Sequence, residues 1–224
     1  MTLEFNNTGT AIEALFAAGA VGFNFGQVIR YKSGILSPGA YLNNRVLQSH
    51  PESWEEILDL MNESIYAYKG DFNRVASVAT GAIAHGVAIA LFNGRPHVTV
   101  KKEEKTSHGL KGIIDGDISI LPDSKVLLVE DMSSTFESAL KAIRVLESHE
   151  ATVVRTLAIS SWNFPIFQKN TDGYNVTVLC DGMSLINAAY ERGEIDEKYR
   201  DLLQLWVMNP EDESWITSEW SMPD

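Results

Sequence analysis

Short apolar runs rich in β-branched residues alternate with longer segments of helical periodicity along most of the chain. The short runs occupy residues 74–78, 97–100, 126–129, 153–159 and 176–179. The helical segments occupy residues 81–92, 135–149 and 183–192. Nearly continuous apolar runs are typical of strands buried on both faces, and parallel strands must be joined by crossovers. The alternation therefore predicts an α/β fold, with a mainly parallel five-stranded sheet flanked by helices.

Residues 1–50 differ in texture from the rest of the chain. A helix is predicted over residues 11–18, and glycines and prolines then mark turns with short extended pieces between them. Pro51 opens a longer amphipathic helix. We therefore expect a small N-terminal segment, residues 1–50, and a main body, residues 51–224, that ends in a C-terminal helical extension. The two are expected to form a single structural unit.

The composition limits the partners of the chain. Its 224 residues carry a formal net charge of -12, and 45% of them are hydrophobic, which suits one sizeable core. Such an acidic chain is a poor match for nucleic acid or an anionic membrane surface. The most apolar stretch, residues 79–92, is too short to cross a bilayer. Cys180 is the single cysteine and the first residues show no signal-peptide pattern, so we expect a cytoplasmic protein without disulfides.

The third apolar run ends in two adjacent acids and a hydroxyl-rich loop, namely Glu130, Asp131, Met132, Ser133, Ser134 and Thr135. At the carboxyl end of a parallel strand, such acids can hold sugar hydroxyls and Mg²⁺-bound water, while loop amides take a phosphate at the next helix N-terminus. The alternative is a solvated turn, in which Ser134 caps the helix and pairs with Glu137 in a capping box. The spacing alone favours neither interpretation.

Residues 101–108 concentrate positive charge in an otherwise acidic chain. The side chains that can carry it are Lys101, Lys102, Lys105 and His108. Glycines follow at positions 109, 112 and 116, which favours a mobile segment. Such a loop can close over an anionic substrate and exclude water. A solvated surface turn is the plainer alternative, since runs of charge are usually solvated.

Taken together, these segments resemble the motifs of type I phosphoribosyltransferases. Four apolar residues, two acids and a hydroxyl-rich loop over residues 126–135 are similar to the family's sugar-phosphate motif. The 5-phosphate loop is divergent, because Phe136 and Glu137 stand where the family usually has small residues. The stretch 79–83 is similar to the family's pyrophosphate loop, with glycine at position 81 where some members carry lysine.

Two further segments resemble orotate phosphoribosyltransferases in particular. Residues 101–109 are similar to their catalytic loop Arg-Lys-x-x-Lys-x-His-Gly, with lysine at position 101 and one extra residue before His108. The stretch Lys32-Ser33-Gly34-x-x-Ser37-Pro38 is similar to the hood that covers the base. Residues 160–163 contain no arginine, although some members carry an orotate-binding arginine there.

The resemblance implies a type I phosphoribosyltransferase fold with residues 1–50 as an N-terminal hood and base-binding segment. It also implies that the chain transfers the 5-phosphoribosyl group of 5-phosphoribosyl 1-pyrophosphate (PRPP) to orotate in pyrimidine biosynthesis. The catalytic residues it implies are Lys102, Lys105, His108 and Asp131. The substrate-binding residues it implies are these four and Lys32, Ala40, Tyr41, Lys101, Glu130, Met132, Ser133, Ser134, Thr135, Phe136, Glu137 and Ser138.

The cofactor implied by the resemblance is Mg²⁺, bound through PRPP and reached by Glu130 and Asp131 through water. The partner implied is a second copy of the chain, with residues 101–109 crossing to the neighbouring site of a homodimer. Two alternatives stay open at this point. The first is a non-catalytic phosphoribosyl-binding regulator, which the divergent 5-phosphate loop favours. The second is a phosphoribosyltransferase for another nucleobase, against which the hood motif argues.

Overall fold

The structure is a computed structural model that describes residues 2–6, 8–101 and 113–223. The helices are α1 (Gly9–Ala17), α2 (Pro51–Ile65), α3 (Ile83–Phe92), α4 (Glu137–Glu147), α5 (Pro165–Thr171), α6 (Gly182–Glu191) and α7 (Glu197–Met208). The strands are β1 (Leu3–Phe5), β2 (Val21–Phe23), β3 (Ile29–Arg30), β4 (Leu36–Ser37), β5 (Ala40–Leu42), β6 (Arg74–Val78), β7 (His97–Val100), β8 (Ile114–Asp115), β9 (Lys125–Met132), β10 (Thr152–Ser161) and β11 (Val176–Asp181).

Within the described residues, the main sheet has seven strands in the order β1-β11-β10-β9-β6-β7-β8. Its neighbouring strands are parallel except for β7 and β8. The five predicted runs are confirmed as the five central strands. The two additional strands lie at the edges of the sheet. They have three and two residues, which is too short for a recognisable pattern in the sequence.

Strand β9 shows why the apolar runs are continuous. Leu127 and Val129 pack into a core shared with α1, α2, α3, α6 and α7. Val126 and Leu128 point to the opposite face, into a core shared with α4 and α5. All four side chains are fully buried. Because side chains alternate between the faces of a strand, a sheet covered on both sides requires apolar residues at every position.

The predicted helices are confirmed, with shifts of a few residues at their ends. Pro51 occupies the first turn of α2, where its missing N–H costs no hydrogen bond. Helix α4 begins at Glu137, two residues later than predicted, because a hydrogen-bonded loop precedes it. Across the described residues, every helix is too short or too polar to span a membrane.

Two small antiparallel hairpins lie between α1 and α2. Strand β2 pairs with β5, and β3 pairs with β4 inside that hairpin. The C-terminal segment packs against this region, since Ser221 donates its N–H to Gly26 O at 2.7 Å and accepts from Val28 N at 2.8 Å. Trp220 adds a ring contact to Phe25, with 5.0 Å between centroids. The C-terminal segment thereby holds the outer part of the hairpins in place.

Candidate active site

A cavity of about 740 Å³ opens at the carboxyl ends of β6, β7 and β9. This is the edge of a parallel sheet at which ligands are expected to bind. The predicted site residues that line it are Lys32, Lys101, Glu130, Asp131, Met132, Ser133, Ser134, Thr135, Phe136, Glu137 and Ser138. Ala40 and Tyr41 are not among its lining residues within the described chain. Lys102, Lys105 and His108 lie outside the described residues.

The two acids belong to strand β9, which continues through Met132. Glu130 is buried and is paired with Ala158 of β10. The Asp131 side chain is 15% exposed, and its Oδ2 lies 3.8 Å from Arg45 Nε. Gly81, at the exit of β6, leaves room for this carboxylate, because a Cβ there would overlap it. Both acids therefore border the cavity from a rigid, buried strand.

The loop between β9 and α4 is held at three points. Ser133 N donates to Ser160 O at 3.1 Å, which ties the loop to β10. Ser133 Oγ accepts from Phe136 N at 3.1 Å, and Thr135 O accepts from Asn170 Nδ2 at 2.7 Å. The first turn of α4 follows at the cavity wall. Unpaired N–H groups and the helix dipole make such a turn favourable for an anion.

The capping box between Ser134 and Glu137, the alternative that the spacing left open, is not the way the helix begins. Phe136 is the N-cap residue, with a φ of 65° in the left-handed region, and its side chain makes no capping bond. Ser133 supplies the hydroxyl that binds a loop amide instead. Glu137 starts the helix and is exposed. The turn is therefore closed by backbone geometry and by Ser133.

Phe136 borders the cavity with its backbone and not with its ring. The side chain is 2% exposed and packs edge-on against Phe167, with 5.8 Å between ring centroids. Tyr174 lies 6.0 Å away on another side of the ring. The ring of Phe136 is thus directed into the core beneath α4. A left-handed φ is unusual for an aromatic residue, so this placement could not be predicted from the residue type.

Basic side chains outnumber acidic ones around the cavity. Among the described residues, the basic side chains are Arg30, Lys32, Arg45, Lys101, Lys141 and Arg144, and the acidic ones are Glu130, Asp131 and Glu137. Four of these cations, Arg30, Arg45, Lys141 and Arg144, were not among the site residues predicted from the sequence. Lys141 and Arg144 are spaced by three residues on α4, which was the available signal for a shared helix face. The cavity is therefore a locally cationic site in an acidic protein.

Lys101 marks where the predicted catalytic loop leaves the sheet. It follows β7 directly and donates its N–H to Ile113 O at 2.7 Å. Its Nζ lies 2.5 Å from Asp115 Oδ1, and the aspartate side chain is 63% exposed, so solvent screens this pair. Lys101 and Ile113 both line the cavity. The chain therefore enters and leaves residues 102–112 at the cavity wall.

Tyr31 anchors the hairpin that carries Lys32. The tyrosine hydroxyl accepts from Trp162 Nε1 at 2.7 Å and donates to Ala40 O at 3.0 Å. Burial raises the pKa of Tyr31 well above its usual range. Lys32 is exposed at the cavity rim. Trp162 directly follows β10, is fully buried and is not among the cavity's lining residues, so its hydrogen bond serves the hairpin.

The two predicted base contacts in β5 are engaged elsewhere. Ala40 O already accepts two hydrogen bonds, from Tyr31 and from Ser37 Oγ at 2.7 Å. The ring of Tyr41 covers Gly22, because a Cβ at position 22 would overlap it. Leu42 and Asn43 are the residues of this segment that line the cavity.

His85 lies on α3 behind the cavity. It is fully buried and accepts a hydrogen bond at Nδ1 from Trp54 Nε1, at 2.9 Å. Burial lowers the pKa of His85, although the charge of Asp131 opposes this. The neutral ring is therefore favoured.

No protein-family model matches the chain. Curated relatives named orotate phosphoribosyltransferase do match it. The one from Coxiella burnetii is 35% identical over 196 residues, which is 86% of this chain and 91% of the relative. The one from Porphyromonas gingivalis is 33% identical over 183 residues, which is 81% of this chain and 85% of the relative.

Solved structures share the fold. Orotate phosphoribosyltransferase from Aeropyrum pernix gives a TM-score of 0.67 at 23% identity, covering 83% of this chain and 99% of that one. UMP synthase from Leishmania donovani gives a TM-score of 0.74 at 20% identity, covering 90% of this chain but only 42% of that longer one. These structures support the phosphoribosyltransferase fold, and the curated relatives at higher identity establish kinship. The chain belongs to the orotate phosphoribosyltransferase family.

Proposed function

We propose that the chain transfers the 5-phosphoribosyl group from PRPP to orotate, releasing pyrophosphate and forming orotidine 5'-monophosphate on the route to UMP. The observation that carries this proposal is the joining of Glu130 and Asp131, the loop 133–136 and the start of α4 in one cationic cavity. The curated relatives support orotate as the base, because they are named for this reaction.

The reaction breaks the anomeric C–O bond of PRPP, so positive charge develops on the ribose and negative charge on the departing pyrophosphate. Groups that are fixed before the reaction stabilise such charges most effectively. Asp131 would orient the ribose and stabilise the positive charge. Lys102, Lys105 and His108, with Lys101 beside them, would neutralise the pyrophosphate as it leaves. The basic lining of the cavity supports this division of charge.

The 5-phosphate would bind the amides of residues 133–138, where the loop meets the first turn of α4. Side-chain hydroxyls of Ser134, Thr135 and Ser138 would add to them, since all three line the cavity. The divergent Phe136 does not obstruct this site, because its ring lies in the core. Glu137 is exposed and its carboxylate can turn to solvent.

Phe136→Leu tests this reading of the divergent loop. We expect the free energy of unfolding to fall by about 1–2 kcal/mol, because the substitution removes ring contacts from a packed core. We expect the KM for PRPP to stay near the wild-type value, because only the backbone at position 136 faces the ligand. Denaturant unfolding and steady-state kinetics measure the two effects. A large rise in KM with unchanged stability would show that the ring contacts the substrate.

The donor set at the end of β9 fits Mg²⁺. This ion prefers oxygen ligands and is usually held by one or two carboxylates together with substrate phosphates and water. Glu130 and Asp131 provide two carboxylates at the cavity, and Gly81 keeps the space beside Asp131 open. When bound, Mg²⁺ would neutralise charge on the pyrophosphate. The two side chains would reach it through water.

Residues 1–50 would act as the hood on the base side of the cavity. Lys32 would contact orotate and PRPP from the rim, and its position beside the buried Tyr31 supports this role. The backbone around Ala40 and Tyr41 would face the base, although their described contacts lie within the hairpins.

We further propose a homodimer in which residues 101–109 reach the neighbouring active site. Helix α3 supports it with three exposed apolar side chains: Val87 at 46%, Leu91 at 76% and Phe92 at 54%. Self-association of such a face about a two-fold axis would bury apolar surface in both copies. The helix packs on β6 and β7, and β7 leads directly into the basic loop.

We also propose that the protein is cytoplasmic.

Leu91→Glu tests the dimer. We expect the variant to be monomeric at micromolar concentration, because the substitution places a charge in the apolar contact. Leu205→Glu is the matched control, because Leu205 is 62% exposed on α7, away from the proposed contact. We expect this variant to remain dimeric. Sedimentation velocity distinguishes the two states. A monomeric wild type, or a dimeric Leu91→Glu variant, would contradict the proposal.

Turnover of purified protein tests the function. The loss of orotate absorbance is followed with PRPP and Mg²⁺, and a parallel sample contains EDTA. We expect turnover that requires both substrates and stops with EDTA. Uracil and purines in place of orotate test for another nucleobase, and we expect no product from them. PRPP binding without turnover would instead favour the non-catalytic regulator, an alternative that the curated relatives do not favour.

A further inference from the structure

Asn44 is a fully buried amide immediately behind the acid pair. It starts a 3₁₀ helix (Asn44–Ser49) that follows the hairpins. Its Nδ2 donates to Asp131 O at 2.7 Å and to Ser160 Oγ at 2.7 Å. An amide nitrogen has two N–H groups, so both hydrogen bonds can form at once. The Asn44 side chain thus connects the segment that follows the N-terminal hairpins to the ends of β9 and β10.

The contact reaches the backbone of the residue that would face the ribose. Asp131 is the penultimate residue of β9. It lies beyond the last pair with β6, at Val129, while the pairing with β10 continues to Met132. Asn44 fixes its carbonyl, and the adjacent Arg45 approaches its carboxylate. Backbone and side chain of Asp131 are therefore both reached from two consecutive residues.

A second polar pair, Trp54 and His85, lies near the Asn44 turn. Trp54 donates its indole N–H to His85 Nδ1, so in the neutral imidazole the proton sits on Nε2. Burial has the largest effect on the pKa of this ring and lowers it, while the charge of Asp131 and the backbone of Asn44 both act to raise it, so His85 lies close to both residues. Trp54 belongs to α2 and His85 to α3, and both helices pack in the same core.

We propose that Asn44 is a positioning residue that holds the main chain of Asp131, so that the carboxylate is presented to the ribose of the substrate. The inference rests on the proposed function, since it assigns a role within that reaction. Asn44 acts through Asp131 and does not line the cavity itself. A displacement of about 1 Å at a reacting group can lower a rate about 100-fold, so loss of the hydrogen bond from Asn44 can lower kcat by a factor of that order.

The test compares Asn44→Ala with Ser160→Ala. The first variant removes both hydrogen bonds, whereas the second removes one and leaves the bond to Asp131 intact. Each leaves a buried polar group without a partner, so both are expected to lower Tm. We expect Asn44→Ala to lower kcat by about 10- to 100-fold at saturating substrates, with a smaller change in KM. We expect Ser160→Ala to keep kcat close to the wild-type value.

A double variant, a substitute variant and two contrary outcomes complete the test. In an Asp131→Asn background, Asn44→Ala should lower kcat no further, because the group that it positions is already lost. If Asn44→Ala gives too little folded protein, Asn44→Ser takes its place. Its kcat should likewise be lower than that of Ser160→Ala. If the wild type turns over but Asn44→Ala and Ser160→Ala have equal kcat values, the proposed function stands and the positioning role of Asn44 is overturned. Absence of wild-type turnover would overturn both.

Discussion

Asp131→Asn is expected to lower kcat by about 10²–10³-fold, the usual loss when one preorganised charge-stabilising group is removed. The substitution keeps the shape of the side chain beside Gly81 but removes the negative charge that would face the ribose. The hydrogen bond from Asn44 to the Asp131 carbonyl is a backbone contact and should persist. The variant should therefore fold normally, and the loss should appear in the chemical step.

Steady-state kinetics with orotate and PRPP measures this effect, with circular dichroism to confirm folding. Glu147→Gln is the matched control, because Glu147 is an exposed acid at the far end of α4, outside the cavity lining. It should leave kcat unchanged. A wild-type kcat in Asp131→Asn would mean that the end of β9 does not face the reacting ribose.

Lys105→Ala is expected to lower kcat by a similar factor, about 10²–10³-fold. Lys105 lies outside the described residues, so the prediction rests on its place in the sequence and on the two ends of its loop. Lys101 and Ile113 both line the cavity, which supports a loop that acts there. Loss of the ammonium group would leave charge on the departing pyrophosphate unbalanced. Wild-type turnover in the variant would contradict the assignment of the loop.

The matched control for the loop is Lys198→Ala, which removes an exposed lysine from α7. Mixing the two inactive variants then tests the dimer. A heterodimer of Lys105→Ala and Asp131→Asn contains one intact site if the loop crosses between subunits, and none if it serves its own subunit. Equal mixing with free exchange should therefore restore about a quarter of wild-type activity. No recovery would mean that the loop acts within its own subunit.

The central strands could be predicted from the sequence because burial on both faces of a sheet requires continuous apolar runs, which are easily recognised. Val126 through Val129 had to be apolar at every position, since alternate side chains enter different cores. The edge strands β1 and β8 leave no such record, because their pairing depends on contacts distant in sequence. Local pattern thus specified the centre of the sheet and missed its margins.

The same distinction explains the site. Glu130 and Asp131 could be located because they follow an apolar run, and the ends of parallel strands are where ligands bind. Asn44 could not, because its role lies in two hydrogen bonds across 87 and 116 residues. The capping box failed for a related reason: a left-handed Phe136, stabilised by its buried ring, displaced the helix start from the position that Ser134 had suggested.

Phosphorus NMR of the complete reaction tests the central claim most directly. Purified protein is mixed with PRPP, orotate and Mg²⁺, and a second sample contains the Asp131→Asn variant. The wild type should convert PRPP into orotidine 5'-monophosphate and pyrophosphate in equal amounts, only when orotate is present, and the variant should do so far more slowly. Persistence of PRPP in the wild-type sample, or equal rates in the two samples, would contradict the proposed reaction at this site.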